Sequence, residues 1–159
     1  MTVENNRIIA EFMGTVMKTT VKDNDVVKGY KMIDCSIYTK EPFIYINPGF
    51  RHVPPSCDLE EMRIICENEV WDQLGKKAQY HISWDWLMPV VEKIQSIDIT
   101  PAPRYDSYRI EIVVQGYVKI QGTGMPRIFK NVSIEGGLIN AVYAAVLQFI
   151  IWYNQNKKV

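Results

Sequence analysis

Four side chains within the first 85 residues have the chemistry of a catalytic site: His52, Cys57, His81 and Asp85. An imidazole within hydrogen-bond reach of a thiol can activate it as a nucleophile, provided that a third group orients the pair. His52 and Cys57 are close in the sequence, but closeness in sequence does not establish that reach. We therefore predict no catalytic residue. A site near His52, Cys57 and His81, in an enzyme or a small-molecule binder, stands as the alternative.

The cysteine pattern is typical of free thiols. Cys35, Cys57 and Cys66 are odd in number and form no CxxC motif. Such cysteines indicate a reducing cytoplasm rather than a disulfide framework or a zinc site, and we predict no metal and no cofactor. The N-terminal residues lack the pattern of a signal peptide, and the longest apolar run, Ala141–Leu147, is too short to cross a membrane. These features predict a cytoplasmic protein without a membrane segment.

Length and charge narrow the class of partner. A chain of 159 residues is expected to form a single domain over residues 1–159 with a proper core. The 18 basic and 18 acidic side chains give zero formal charge, which makes a nucleic-acid partner unlikely because phosphate binding needs a basic face. Zero charge also favours self-association. One nucleic-acid alternative remains, namely weak binding of a single strand by Phe43 and Tyr45 on an exposed sheet face.

The segment Tyr80–Ile97 carries the clearest helix signal in the first hundred residues. Ser83 is the predicted N-cap. Apolar side chains then follow at helical spacing: Trp84, Leu87, Met88, Val91 and Ile94. Because a proline inside a helix removes a backbone donor, we expect a distorted first turn and a regular helix from about Pro89. We interpret the two tryptophans of this segment as core anchors rather than as a binding patch.

The residues before this segment predict a short helix, several strands and a second helix. The first helix would be capped by Asn5 or Asn6 and would end at Gly14. The predicted strands, the first two of which form a hairpin, are Val16–Val21, Val26–Ile33, Ser36–Tyr38 and Phe43–Ile46. A loop at Phe50–Cys57, a helix at Leu59–Cys66 capped by Asp58, and a turn at Gly75–Lys77 complete this half.

The residues after Ile97 predict three strands and a long last helix. Tyr108–Gln115 alternates apolar and polar side chains and is the clearest strand. Tyr117–Gln121 and Arg127–Ile134 are expected to pair as antiparallel strands, and the last helix spans Leu138–Asn154.

The last helix is apolar on two sides. Ile139, Val142, Val146, Phe149 and Tyr153 form one stripe, and Ala144, Leu147 and Ile151 form a second on nearly the opposite side. A helix of this kind is buried on more than one side, either by other elements or by a second copy of the chain. We therefore expect a protein partner or self-association, with a candidate interface formed by Leu147, Phe149, Ile151 and Trp152.

Three segments carry a resemblance to a known family. The central motif SWDWLMPVVEKI is preceded by IIAEFMG at Ile8–Gly14 and followed by AVYAAVLQFIIWYNQNK at Ala141–Lys157. In this order and wording they resemble the phage-type ABA-sandwich domain family of small bacterial and prophage proteins. The resemblance implies helices flanking a β-sheet and a phage, prophage or mobile-element setting. It implies no activity and no site residue.

Together these features predict an α+β fold with a mainly antiparallel sheet flanked by helices, and the resemblance favours an α-β-α sandwich. The expected function is that of a small accessory or interaction protein, not an enzyme, that acts through protein contacts and self-associates.

Overall fold

The computed structural model of the chain describes residues 2–24, 26–27, 29–39, 44–97, 109–113, 116–122 and 125–156. These residues form four helices and two antiparallel sheets, which confirms the predicted α+β class. The chain folds as two compact units, Met1–Ala78 and Gln79–Val159, and each is described by itself below.

The first unit contains two helices and a four-stranded sheet. Its elements in chain order are α1 (Thr2–Phe12), β1 (Val16–Asp23), β2 (Lys31–Thr39), β3 (Ile44–Ile46), β4 (Arg51–Val53) and α2 (Leu59–Lys77). Strand β2 is central, since it pairs antiparallel with β1 along one side and with β3 and β4 along the other.

Helix α1 ends where the sequence predicted and begins earlier than predicted. Gly14 has a φ of 83°, its amide donates to Glu11 and the Thr15 amide donates to Ala10, which is a Schellman termination. The predicted cap at Asn5 or Asn6 is wrong because the helix already starts at Thr2. Asn6 is instead a buried residue in the middle of α1, and its side chain donates hydrogen bonds to the C-terminal end of α2.

The predicted β-hairpin is confirmed, with a longer turn and a later second strand. Asn24 shapes the turn, because its Oδ1 accepts hydrogen bonds from the amides of Val26 and Val27. As a result β2 starts at Lys31 rather than Val26, and it continues through the separately predicted strand at 36–38. The hairpin pairs Val16 with Tyr38 at one end and Asp23 with Lys31 at the other.

The segment predicted as a loop at 50–57 contains a strand. Strand β4 pairs its Arg51–Val53 with Ile33–Lys31 of β2, and the buried Val53 side chain adds to the core. Pro54 and Pro55 favour a loop in the sequence prediction, but they come directly after the strand and so do not interrupt it. In β3 the predicted alternation is confirmed for Tyr45, which is exposed, and Ile46, which is buried. Phe43 lies outside the described residues.

Helix α2 is much longer than the predicted 59–66. Asp58 caps it as predicted, accepting from the amides of Glu60 and Glu61. The predicted turn at Gly75–Lys77 is wrong, since these residues form the last turn of the helix. Gly75 is there for close packing, because a Cβ would lie 2.6 Å from the Val3 carbonyl oxygen of α1.

The sheet of the first unit has one buried face and one open face. Ile33, Cys35 and Ile37 of β2 are fully buried and lie on the face that packs against α2. The alternate residues of β1 and β2 point to the opposite face, where Lys18, Lys22 and other side chains are exposed. We call this second surface the open face.

The second unit contains two helices and a three-stranded sheet. Its elements are α3 (Trp84–Ser96), β5 (Arg109–Val113), β6 (Tyr117–Gln121), β7 (Ile128–Asn131) and α4 (Leu138–Asn156). Strand β6 lies between β5 and β7, and both pairings are antiparallel. The predicted strand at 108–115 is confirmed over 109–113, and its remaining residues lie outside the described part of the chain. Strand β7 ends at Asn131, short of the predicted 134, because the Asn131 side chain accepts the Ser133 amide and starts a turn.

Helix α3 is regular from its first turn, so the predicted distortion before Pro89 is wrong. The Leu87 amide already donates to the Ser83 carbonyl at 3.1 Å, and Pro89 lies inside the helix. The Ser83 hydroxyl makes no capping bond to the described residues. The apolar stripe is buried at Leu87, Val90, Val91 and Ile94, whereas Trp84 and Met88 are exposed. The prediction that both tryptophans anchor the core is therefore wrong for Trp84, whereas Trp86 is half-buried with its ring edge-on to the buried Tyr80 at 5.2 Å.

Helix α4 packs its first apolar stripe on the sheet of its own unit. Val142, Val146 and Phe149 are fully buried, as are Val118, Ile120 and Ile128 on strands β6 and β7. None of the helices in the described ranges is long and apolar enough to cross a membrane.

Candidate functional site

His52 lies on β4 and is bound to the hairpin turn. Both hydrogen bonds that Asn24 accepts from the amides of Val26 and Val27 are on its Oδ1, so its amide nitrogen is free to donate. That nitrogen lies 3.2 Å from Nδ1 of His52, which must therefore accept, leaving the proton of a neutral imidazole on Nε2. The hydrogen bond gives His52 a structural role in holding the turn against β4.

Cys57 is the exposed member of the three free thiols. It follows Pro54 and Pro55 in a turn closed by its amide, which donates to the Pro54 carbonyl at 3.0 Å. The hydrogen bond of the His52 side chain goes to Asn24, so the two residues that are close in sequence do not form a hydrogen-bonded pair within the described residues.

Cys35 and Cys66 are both fully buried between β2 and α2. Burial raises the pKa of the Cys66 thiol to about 12, with a further contribution from the neighbouring Cys35. The thiolate is the reactive form, so both burial and protonation should make Cys66 inert.

Thiol labelling of the native protein with Ellman's reagent should therefore modify Cys57 alone at once. Cys35 and Cys66 should react only as fast as the first unit opens, and all three should react in denaturant. The variant Cys57→Ser is the control and should show no fast phase. Fast labelling of two or three thiols in the native wild-type protein would contradict this placement.

His81 and Asp85 lie in the second unit, whereas His52 and Cys57 lie in the first. The His81 ring is tilted against the Tyr143 ring at a centroid distance of 6.0 Å. Its Nδ1 is buried, as is the Tyr80 hydroxyl, and neither atom has a hydrogen-bond partner among the residues described. Burial also raises the pKa of Tyr80 to about 12, so its hydroxyl stays protonated. Asp85 is exposed in the first turn of α3, where a carboxylate suits the helix dipole.

The described part of the chain holds no group of three or more His, Cys, Asp or Glu side chains that could bind a metal ion. The four residues that suggested an enzyme differ in their surroundings. His52 holds the hairpin turn and Cys57 is an exposed thiol, whereas His81 packs against Tyr143 and Asp85 lies in the first turn of α3.

The candidate interface on α4 separates into buried and accessible side chains. Phe149 is fully buried, in contact with the rings of Trp152 and Tyr153 at centroid distances of 6.0 and 5.8 Å. Leu147 and Trp152 are half-buried, and Ile151 is 41% exposed. An interface on this helix would therefore use Leu147, Ile151 and Trp152, with Phe149 holding them in place from the core side.

The open face of the first unit carries a groove of about 420 Å³. Its lining combines basic, acidic, hydroxyl and aromatic side chains from three strands and the residue before β4: Lys18, Thr20, Lys22, Asp34, Ser36, Tyr38, Tyr45 and Phe50. Of these residues, the sequence predicts only Tyr45 as an exposed aromatic side chain on a sheet. It does not single out the lining residues of β1 and β2, although their period-two spacing is visible in the sequence.

Comparison with family models, with curated proteins and with solved structures finds no match to this chain.

Proposed function

We propose that this chain is a small accessory protein that acts in the cytoplasm through protein contacts, including contacts with a second copy of itself, rather than by catalysis. The observation that carries the proposal is the outer side of α4, which remains apolar and accessible after the inner side has packed on β6 and β7.

The chemistry of α4 suits an interface. Its whole length, Leu138–Asn156, contains no charged residue. The buried centres of protein interfaces are likewise depleted in charged side chains and rich in aromatic ones. Ile151, Leu147 and Trp152 supply the accessible apolar surface, and the uncharged Gln148 lies between Ile151 and Trp152 on the same side of the helix. A second copy would meet this surface with the same residues, as in a twofold interface.

Two further points support the proposed origin and the proposed cellular compartment. The resemblance to phage-type ABA-sandwich proteins supports a phage or mobile-element origin. The buried cysteines Cys35 and Cys66 are free thiols, which fits a reducing compartment.

The test compares the solution mass of the wild-type protein with that of Ile151→Asp by light scattering over a range of concentrations. The wild type should depart from the monomer mass of 18.4 kDa as concentration rises. A buried, unpaired carboxylate in the interface should raise the dissociation constant about tenfold or more. The matched control is Ile134→Asp, because Ile134 is 81% exposed in a turn of the same unit and lies outside α4.

Loss of association in Ile151→Asp with retention in Ile134→Asp would support the proposal. A wild-type protein that stays monomeric at every concentration, or an equal effect of both substitutions, would refute self-association through α4.

A further inference from the structure

We propose that the open face of the first unit binds single-stranded nucleic acid, with bases stacked on Tyr38 and Tyr45, phosphates at Lys18 and Lys22, and a base N–H group donated to Asp34. This inference concerns a different surface from α4 and does not depend on the proposed protein contacts.

The aromatic side chains form the first part of the argument. Tyr38 on β2 and Tyr45 on β3 are direct cross-strand partners, so their rings project side by side from the same face. Tyr38 is 36% exposed, Tyr45 is 55% exposed and Phe50, at the same groove, is 51% exposed. The Tyr45 hydroxyl accepts from Nδ2 of Asn47 at 3.1 Å, which holds this ring in place. Exposed rings on a sheet form the stacking platforms on which single strands bind.

The lysines form the second part. Lys18 and Lys22 lie on the edge strand β1 and point to the same face, because they are an even number of residues apart. At a rise of about 3.3 Å per residue their backbone positions are about 13 Å apart along the edge of the groove. Lys22 Nζ lies 5.6 Å from the centroid of the Phe50 ring, so a cation and an aromatic face are already adjacent. A strand crossing the rings would place its phosphates along this edge.

Asp34 forms the third part of the argument, because its side chain offers a hydrogen-bond acceptor to a nucleobase and not to a phosphate. It lies opposite Thr20 in the centre of the sheet, and its Oδ1 is buried without a hydrogen-bond partner in the ranges the structure describes. A carboxylate oxygen of this kind accepts hydrogen bonds, and a donor group on a ligand in the groove would give it a partner. The ring N–H and amino groups on the edge of a nucleobase are such donors. The negative charge also repels phosphate, which keeps the backbone at the lysine edge.

The zero net charge of the chain, which made nucleic acid unlikely from sequence, does not decide this question. Binding depends on the charge of the contacting surface, and the groove lining has two lysines and one aspartate. Two neutralised phosphates give a shallow dependence on salt, with a slope of about −1.4 in log K against log salt for a single strand. The expected binding is therefore weak and dominated by stacking.

The test is fluorescence anisotropy of the full chain with a labelled single-stranded oligonucleotide of mixed sequence, with the same sequence as a duplex and with mononucleotides in separate arms. The wild type should bind the single strand with the shallow salt slope and should bind the duplex and the mononucleotides much more weakly. Tyr45→Ala should weaken single-strand binding about tenfold, because stacking on one ring is lost. Lys18→Ala should weaken it and reduce the slope by about 0.7.

The matched control is Phe129→Ala in the second unit. Phe129 is also an exposed aromatic residue on a sheet, 53% exposed and stacked on Tyr117 at 4.8 Å, but it lies outside the groove. Its replacement should leave binding unchanged. Melting temperatures check that the variants are folded.

Absence of single-strand binding by the wild type would overturn the inference. So would an equal effect of Tyr45→Ala and Phe129→Ala, or binding of mononucleotides as tight as that of the strand, since the last result would identify a free nucleotide as the ligand.

Discussion

Replacement of Phe149 by alanine should lower the free energy of unfolding by about 3–5 kcal/mol, the usual cost of removing a large aromatic side chain from a core. Phe149 is fully buried, and its ring contacts those of Trp152 and Tyr153. Its removal takes apolar area out of the core and leaves a cavity under α4 that the surrounding helix and strands can fill only partly. Urea unfolding followed by tryptophan fluorescence measures the effect, with Trp152 next to the cavity as a reporter.

The control for this prediction is Ile134→Ala. Ile134 is also an apolar residue of the second unit, but it is almost fully exposed, so its replacement should change the free energy of unfolding by no more than about 0.5 kcal/mol. If Phe149→Ala unfolded at the same urea concentration as the wild type, the packing of α4 on β6 and β7 would be wrong.

Asn6→Ala should give the second large effect, a loss of about 2–5 kcal/mol, because each buried acceptor left without a donor costs about 1–3 kcal/mol. Nδ2 of Asn6 donates to the carbonyl of Gly75 at 3.0 Å and to that of Ala78 at 2.8 Å. These carbonyls belong to the C-terminal end of α2, where the last acceptors of a helix have no partner within it. An alanine at position 6 favours α1 by about 0.5 kcal/mol, which is too little to offset the loss.

Chemical unfolding gives the size of this effect, and amide hydrogen exchange gives its location. Protection should fall most in α1 and in the last turn of α2, where the two helices meet. Asn68→Ala is the matched control, because Asn68 is an exposed asparagine on α2 and its replacement should be neutral or slightly stabilising. Equal stability of the two variants would show that the Asn6 hydrogen bonds contribute nothing to the unit.

Local sequence chemistry predicted the elements that have a local cause. Gly14 ends α1 because a left-handed residue is needed there, and Asp58 starts α2 because its side chain satisfies two free amides nearby. The alternation of Tyr45 and Ile46 was also readable, since the side chains of a strand point to opposite faces in turn.

Predictions failed where the cause lies far away in the chain. Gly75 looked like a turn residue, but it lies inside α2 and is a glycine because Val3 of α1 approaches too closely for a side chain. Pro89 looked like the start of the regular helix, but the buried Leu87 and Val90 around it keep the backbone helical through the missing hydrogen bond.

The candidate sites divide in the same way. The apolar stripes of α4 were visible from their spacing, but only packing showed that Phe149 is buried while Ile151 stays accessible. His52 and Cys57 suggested a catalytic pair from closeness in sequence, whereas the hydrogen bond to Asn24 gives His52 a structural partner from the hairpin turn.

The sequence alone determined the α+β class, the antiparallel pairing of its hairpin strands and the apolar character of the last helix, because periodicity and turn chemistry act over a few residues. The tertiary structure decided how α2 ends and what the open face carries. Asn6 closes the end of α2 by a hydrogen bond to Ala78, 72 positions later, and register alone brings Asp34, Tyr38 and Tyr45 beside Lys18 and Lys22. Contacts between residues distant in sequence depend on which surfaces pack together, and no short stretch of the chain contains that information.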